Sequence, residues 1–198
     1  DKIDEMNGDG REPWSYICCE PRAPYICEMI DAEAINFRVW LWGSWAKNLH
    51  GVLLWHVNDW TFNEPTPELK HRDERGNPLT DFTYCLFNGW NSGYGDGVLI
   101  YPNNPDLTYK ETEYLREPVP SIRLERLRDG IEDYEYFVML QKAADALAAS
   151  DLILASEARK LLEIPSLIYK DEMTYSKNPQ YLLSYRDRLG AFLDKLSR

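Results

Sequence analysis

GVLLWHVN, running from Gly51 to Asn58, is the stretch on which the fold turns. A strand with one wet face alternates apolar and polar residues, whereas a strand covered on both faces is apolar at both parities. This run is apolar at successive positions from Val52 to Trp55, which predicts a buried strand of a parallel sheet with helices packed on it. Upstream, the spacing of Ile30, Ala34, Phe37, Leu41 and Trp45 predicts a helix from about Met29 to Asn48. Before that, WSYICCE (Trp14 to Glu20) reads as a β-favouring strand stopped by Pro21 and Pro24. Downstream lies a polar stretch from Thr61 to Asp96, then GVLIY (Gly97 to Tyr101) as a third buried strand closed by Pro102. Ser121 is placed to cap a long helix from Ile122 to about Ala149, with Leu124, Leu127, Ile131, Tyr134 and Val138 on one face. Two shorter helices, near Asp151 to Leu162 and Gln180 to Leu196, are set apart by Pro165 and Pro179.

Alternating strands and helices imply an α/β fold with a parallel sheet. About three parallel strands plus long C-terminal helices leave both sheet edges open, so the pattern is that of a portion of something larger. An eight-stranded βα barrel takes about 250 residues, against 198 here. The expectation is the C-terminal portion of a (β/α)8 TIM-like barrel. Residues 1–142 would be its closing βα units, and residues 143–198 a helical extension packed on the same domain.

Composition narrows the function. Hydrophobic residues make up 44% and aromatics 13%, enough to bury a core, which excludes intrinsic disorder. Asp and Glu outnumber Lys and Arg by 33 to 22, for a net charge of −11, so nucleic acid and anionic membrane surfaces are poor partners. No apolar run reaches the roughly 18 residues of a membrane-spanning helix. The opening DKIDEMNGDGRE has no apolar stretch and is not expected to act as a signal peptide. The four cysteines, Cys18, Cys19, Cys27 and Cys85, are too sparse for a disulfide framework. A bond between the neighbours Cys18 and Cys19 would strain the backbone, and a bridge from either to Cys27 is open but not required. There is no CxxC, and His50, His56 and His71 are scattered, so neither a metal nor a cofactor is expected.

Four segments carry a resemblance: WSYICCEPRAPY, GVLLWHVNDW, GDGVLIYP and PSIRLERLRDGIEDYEYFVML, in that order. Together they resemble the C-terminal part of the glycoside hydrolase family 123 catalytic domain, from about residue 12 to 142. The resemblance implies a barrel that hydrolyses β-linked N-acetylhexosaminides, N-acetylgalactosamine foremost, outside the cell or in the periplasm. It implies a substrate-assisted mechanism. An adjacent Asp-Glu pair would steady the attacking 2-acetamido group and supply the general acid and base, an exception to the usual two carboxylates flanking the bond. The family pair lies upstream of WSYICC. The pairs present here, Asp4-Glu5, Asp73-Glu74 and Asp171-Glu172, do not end a buried strand, so the catalytic role is carried onto none of them. The chain alone is therefore expected to be inactive.

What remains is sugar-binding surface. Aromatic rings stack on the apolar faces of pyranoses, and barrel sites form at the C-terminal ends of the strands. Tyr16, Trp55, Asn58, Trp60 and Tyr101 fall at or near those ends. Trp90 sits in the Gly-rich NGWNSGYGDG segment of the long loop, with Tyr94, and Arg123 starts the helix after the last strand, placed to reach the pocket or orient an acid. The plainer alternatives are core packing for Trp55, a core or supporting role for His56, and buried apolar roles for Cys18 and Cys19. For the carboxylate-rich RLERLRDGIEDYEYF run, surface ion pairs such as Glu125 with Arg128 and Arg128 with Glu132 are the simpler account. Expected partners are a carbohydrate containing N-acetylhexosamine and the remainder of the barrel, or another chain, to complete the sheet. The rival to a glycosidase part is a non-catalytic carbohydrate-binding or structural domain.

Overall fold

The computed structural model describes residues 2–58, 95–101 and 119–196. Helix α1 (Lys2–Gly8) precedes strand β1 (Trp14–Ile17), helix α2 (Ile35–Ala46) and strand β2 (Gly51–Leu54). Strands β3 (Ile100–Tyr101) and β4 (Val119–Pro120) lead into the long helix α3 (Ile122–Leu147). Helix α4 (Leu152–Leu162), the hairpin strands β5 (Tyr169–Asp171) and β6 (Thr174–Tyr175), and helix α5 (Pro179–Leu196) complete the chain.

The parallel pair is where the sequence puts it. β1 and β2 run parallel in register from Trp14 opposite Gly51 to Ile17 opposite Leu54. The third strand is different. β3 pairs antiparallel with β4, and the described residues hold one parallel pair and two antiparallel ones rather than three parallel strands. Val98 and Leu99 are core residues, as the apolar run GVLIY requires. An apolar run sets burial, however, and says nothing about the direction of the neighbour. Here the amides of Leu99 and Ile100 both reach the Val57 carbonyl at 2.8 Å, and the Ser121 amide returns to the Leu99 carbonyl at 2.8 Å.

α2 begins at Ile35, not Met29. The 26–29 segment is buried as loop, and turns at Ala32 and Asn36 carry the chain into the helix. Every residue from Asn36 to Ser44 is buried. A helix wrapped on all sides needs close neighbours, and glycines supply two. A Cβ on Gly130 would sit 3.1 Å from the Arg38 Cα, which marks the tight crossing of α2 and α3. On the other side, a Cβ on Gly43 would meet the Tyr169 ring at 2.6 Å, so the β5–β6 hairpin lies directly on α2.

α3 starts as expected: the Leu124 amide donates to the Ser121 hydroxyl at 3.2 Å. Its buried face is Arg123, Gly130, Asp133, Phe137, Leu140 and Ala144, a stripe at helical spacing. Of the face expected from Leu124, Leu127, Ile131, Tyr134 and Val138, Leu127 and Tyr134 pack against the core while Ile131 is exposed, so the buried stripe is offset from the expected one. The charged residues Arg123 and Asp133 occupy core positions that a purely apolar pattern passes over. Trp42 and Trp45 of α2 close on Phe137, one edge-on at 5.1 Å and one stacked at 5.2 Å. α4 and α5 pack on α3 through Ala158, Leu182, Tyr185 and Leu189.

Candidate functional site at the strand ends

The two faces of the β1–β2 pair are unlike. Ile17, Val52 and Leu54 turn toward the helical core, while Trp14, Tyr16, Leu53 and Trp55 are exposed. Side chains alternate across a strand, so these four share one face. Trp55 is 63% exposed and Tyr16 51%. The expectation that GVLLWHVN is covered on both faces therefore fails on one face, and Trp55 is not a core residue. Trp14 lies flat across Gly51, where any Cβ would come within 2.6 Å of its ring.

At the C-terminal ends of both strands the chain gathers polar and titratable groups. The neighbouring Cys18 thiol, then burial and the nearby charges of Cys19 and Glu28, push the Tyr16 hydroxyl up to about 12. Trp55 stands edge-on to the His56 ring at 5.1 Å. Asn58 is exposed and bridges to Val98, which brings the end of β2 beside β3 and its Tyr101. Tyr16 and Trp55 thus lie at the C-terminal ends of β1 and β2, and the bridge joins Asn58 to the segment that leads to Tyr101. Trp60, Trp90, Tyr94 and Cys85, with most of the long polar stretch, lie outside the described residues.

Arg123 takes a different place from a surface ligand. It is 3% exposed, and one Nη donates to the carbonyls of Glu28 at 2.7 Å and Gly95 at 2.9 Å, while the other donates to the Val98 carbonyl. One guanidinium therefore ties the segment after β1 to the turn before β3. Gly95 holds φ +76°, and a Cβ there would lie 2.8 Å from the guanidinium, so the turn needs a glycine on both counts.

This clamp sets Glu28, which sequence reasoning overlooked, into the interior. Its side chain is wholly buried, and neither carboxyl oxygen has a hydrogen-bond partner of good geometry among the described residues. Burial first, then the neighbouring Asp96 carboxyl, push it up to about 10; Arg123 and the Gly97 backbone pull the other way without prevailing. Glu28 is thus held as a neutral acid beside the strand ends. The only sequence signal was its place shortly after a strand end, which many surface glutamates share.

A separate pocket of about 150 Å³ lies on the helix side of β1, between Ser15, Trp40, Lys47 and Tyr169. Trp40 Nε1 donates to Ser15 Oγ at 2.7 Å along its wall. It is small against the roughly 300–1,000 Å³ of ordinary ligand pockets.

The family model described as the glycoside hydrolase 123 catalytic domain matches residues 1–140. The chain belongs to this family. Among solved structures, the chain is similar to a family 123 glycoside hydrolase from Clostridium perfringens, studied for glycolipid glycan hydrolysis. The TM-score is 0.52 at 20% identity, over 99% of this chain and 29% of that one. The chain thus spans under a third of that relative's length, and the likeness is one of fold. No curated protein matches.

For a family 123 domain, the acid pairs within the described residues are poorly placed for chemistry. Asp4 and Glu5 lie on α1, a helix with no buried residue, while Asp171 is the last residue of β5 and Glu172 opens the turn of the β5–β6 hairpin. Neither pair stands at the ends of β1 and β2. The carboxylate-rich stretch of α3 divides in two. Glu125 with Arg128 at 2.7 Å, and Arg128 with Glu132 at 3.7 Å, are surface ion pairs. Asp133 instead is buried, taking Arg38 Nε at 2.6 Å, Arg38 Nη2 at 2.9 Å and Trp42 Nε1 at 2.7 Å.

Proposed function

We propose that this chain supplies the sugar-facing end of a glycoside-hydrolysing barrel, as the C-terminal portion of a (β/α)8 TIM-like fold. In this reading residues 1–142 are barrel units and residues 143–198 a helical buttress. The observation that carries it is the exposed aromatic face ending in Tyr16 and Trp55 at the C-terminal end of a parallel strand pair, in a family 123 domain. Trp55 and Tyr16 would stack on the sugar, and Asn58 and Tyr101 would hold its hydroxyls. Trp60, just past the end of the β2 segment, would join them, and Trp90, from the long polar stretch, would close over the sugar. Arg123 contributes indirectly, fixing Glu28 and the Gly95 turn at the edge of this surface.

The substrate class is a β-linked N-acetylhexosaminide, with N-acetylgalactosamine the first sugar to try. The catalytic Asp-Glu pair of the substrate-assisted mechanism would come from the remainder of the barrel, which would also cover the open edges of β1 and β2. The chain alone would then bind sugar without hydrolysing it.

The test is a titration of N-acetylgalactosamine against tryptophan fluorescence, alongside an aryl β-N-acetylgalactosaminide assay. Saturable quenching that is lost in Trp55→Ala, with no aryl release, is the expected result. Aryl release by the chain alone would refute the absence of catalytic machinery. Titration curves identical in wild type and Trp55→Ala, or no response at all, would refute the aromatic floor.

A further inference from the structure

Cys18 and Cys19 are left unused by the sugar-binding reading, and their geometry is unusual. They are sequence neighbours just past the end of β1, both free and both partly exposed, with Sγ atoms 3.6 Å apart. Neighbouring cysteines whose side chains point to opposite sides of a strand hold their sulfurs far apart. Here the chain has already left β1, whose last residue is Ile17. The Cys18 amide bonds to the Glu20 carbonyl at 3.2 Å, and this local turn brings both thiols to one side.

We propose that Cys18 and Cys19 form a peroxide-sensitive vicinal dithiol that closes reversibly to a disulfide at the mouth of the strand-end surface. This inference is independent of which sugar, if any, the surface binds.

The two thiols are not equivalent. Burial raises the Cys18 thiol, but hydrogen bonding with Tyr16 and the backbone at Glu20 and Cys19 outweighs it and leaves the thiol more acidic than usual. Cys19 is pushed up, chiefly by its hydrogen bond with Cys18. Cys18 is therefore the attacking sulfur and Cys19 the resolving one, since the thiolate is the nucleophile. In the first step the Cys18 thiolate attacks one oxygen of hydrogen peroxide, the O–O bond breaks, and hydroxide leaves to be protonated to water. In the second, the Cys19 sulfur attacks the sulfenic sulfur of Cys18, expelling a second hydroxide as the S–S bond forms and the Cys19 proton goes to solvent. Two thiols and one peroxide give one disulfide and two waters. Cα atoms of neighbours sit about 3.8 Å apart, shorter than the usual 4.4–6.8 Å of disulfides, so the ring is strained and a dithiol reductant reopens it readily.

The sequence makes the test clean. Trypsin cuts after Arg11 and Arg22, and the peptide Glu12 to Arg22 holds Cys18 and Cys19 and no other cysteine. The folded chain is treated with stoichiometric hydrogen peroxide, remaining thiols are alkylated, and the digest is weighed by mass spectrometry. The expected result is an unalkylated peptide two hydrogens lighter than the dithiol form, restored to two alkylatable thiols by dithiothreitol. In Cys19→Ser, a dimedone adduct should appear at Cys18, several-fold faster than one at Cys19 in Cys18→Ser. Buried Cys27, in a separate peptide, is the internal control for slow reaction. Full alkylation of both thiols after peroxide, oxidation to sulfinic acid without a disulfide, or a bridge to Cys27, Cys85 or a second chain would each overturn the proposal. Faster dimedone labelling in Cys18→Ser would overturn the assignment of the attacking sulfur.

Discussion

Replacing Asp133 by Ala removes the carboxylate at the centre of the α2–α3 interface. The side chains of Asp133 and Arg38 are 0% and 5% exposed, and the pair is bidentate, with Trp42 Nε1 as a third donor. Arg186 Nε adds an ion pair at 3.0 Å from the partly exposed side. In the variant the Arg38 guanidinium keeps, among the described residues, only Asp129 as an ion-pair partner, at 3.9 Å, while still sealed from water. Breaking a buried pair from one side costs about 3–5 kcal/mol, because the orphaned charge stays desolvated. The upper end applies here, since the indole N–H of Trp42 loses its acceptor as well. For a chain of this size, about 1 kcal/mol corresponds to roughly 2–4 °C, so a fall in melting temperature of about 10–15 °C is expected. Asp133→Asn keeps an acceptor for Trp42 and should fall short of the Ala variant. Urea unfolding followed by tryptophan fluorescence reads the midpoint and slope together. The double variant Arg38→Met with Asp133→Leu should recover part of the loss, because the Arg38 charge is then gone and Arg186, partly exposed, keeps Glu132 at 3.1 Å. A cost under about 1 kcal/mol for Asp133→Ala at unchanged slope, or a double variant as poor as the sum of its single changes, would refute the reasoning.

Glu28 gives a pH-dependent outcome whose sign is fixed by the direction of its shift. Its carboxyl is pushed up from an ordinary 4.5 to about 10, so its contribution is fully present below the ordinary value and drains away as pH rises toward the folded one. Glu28→Gln stays neutral, so its stability relative to wild type should grow with pH, reaching on the order of 3 kcal/mol near pH 7. Urea midpoints of both proteins from pH 5 to 8 check this, and a constant difference across that range would sink it. Gly130→Ala should destabilise by about 1–3 kcal/mol despite the better helix propensity of Ala, since the added methyl meets the Arg38 backbone at 3.1 Å. A stabilised Ala variant in thermal melts would show that the crossing relaxes.

Local features carried the parts of the fold that were legible in sequence. The β1 and β2 segments, the Ser121 cap and the two C-terminal helices each depend on residue type and spacing within a few positions. Gly130 is a glycine inside α3 whose reason, the nearby α2 backbone, lies far away in sequence. The miscounted strand and the offset face of α3 arose from the same blindness. Apolar runs report that a segment is buried, but not which segment lies beside it or in which direction. Asp133 looks like a surface charge in a charged helix, and Arg123 like a pocket-facing one; only the approach of Arg38, and of the Glu28 and Gly95 loops, sets both into the interior.

The candidate site divides along the same line. The nomination of Tyr16, Trp55 and Asn58 came from the sequence, because strand termini and aromatic residues are local properties. That Trp55 faces outward, that Glu28 is sealed in beside Asp96, and that two neighbouring thiols meet at 3.6 Å were decided by tertiary structure. Exposure, burial and the distance between side chains depend on which distant segments pack together, and no stretch of GVLLWHVN or WSYICCE carries that information.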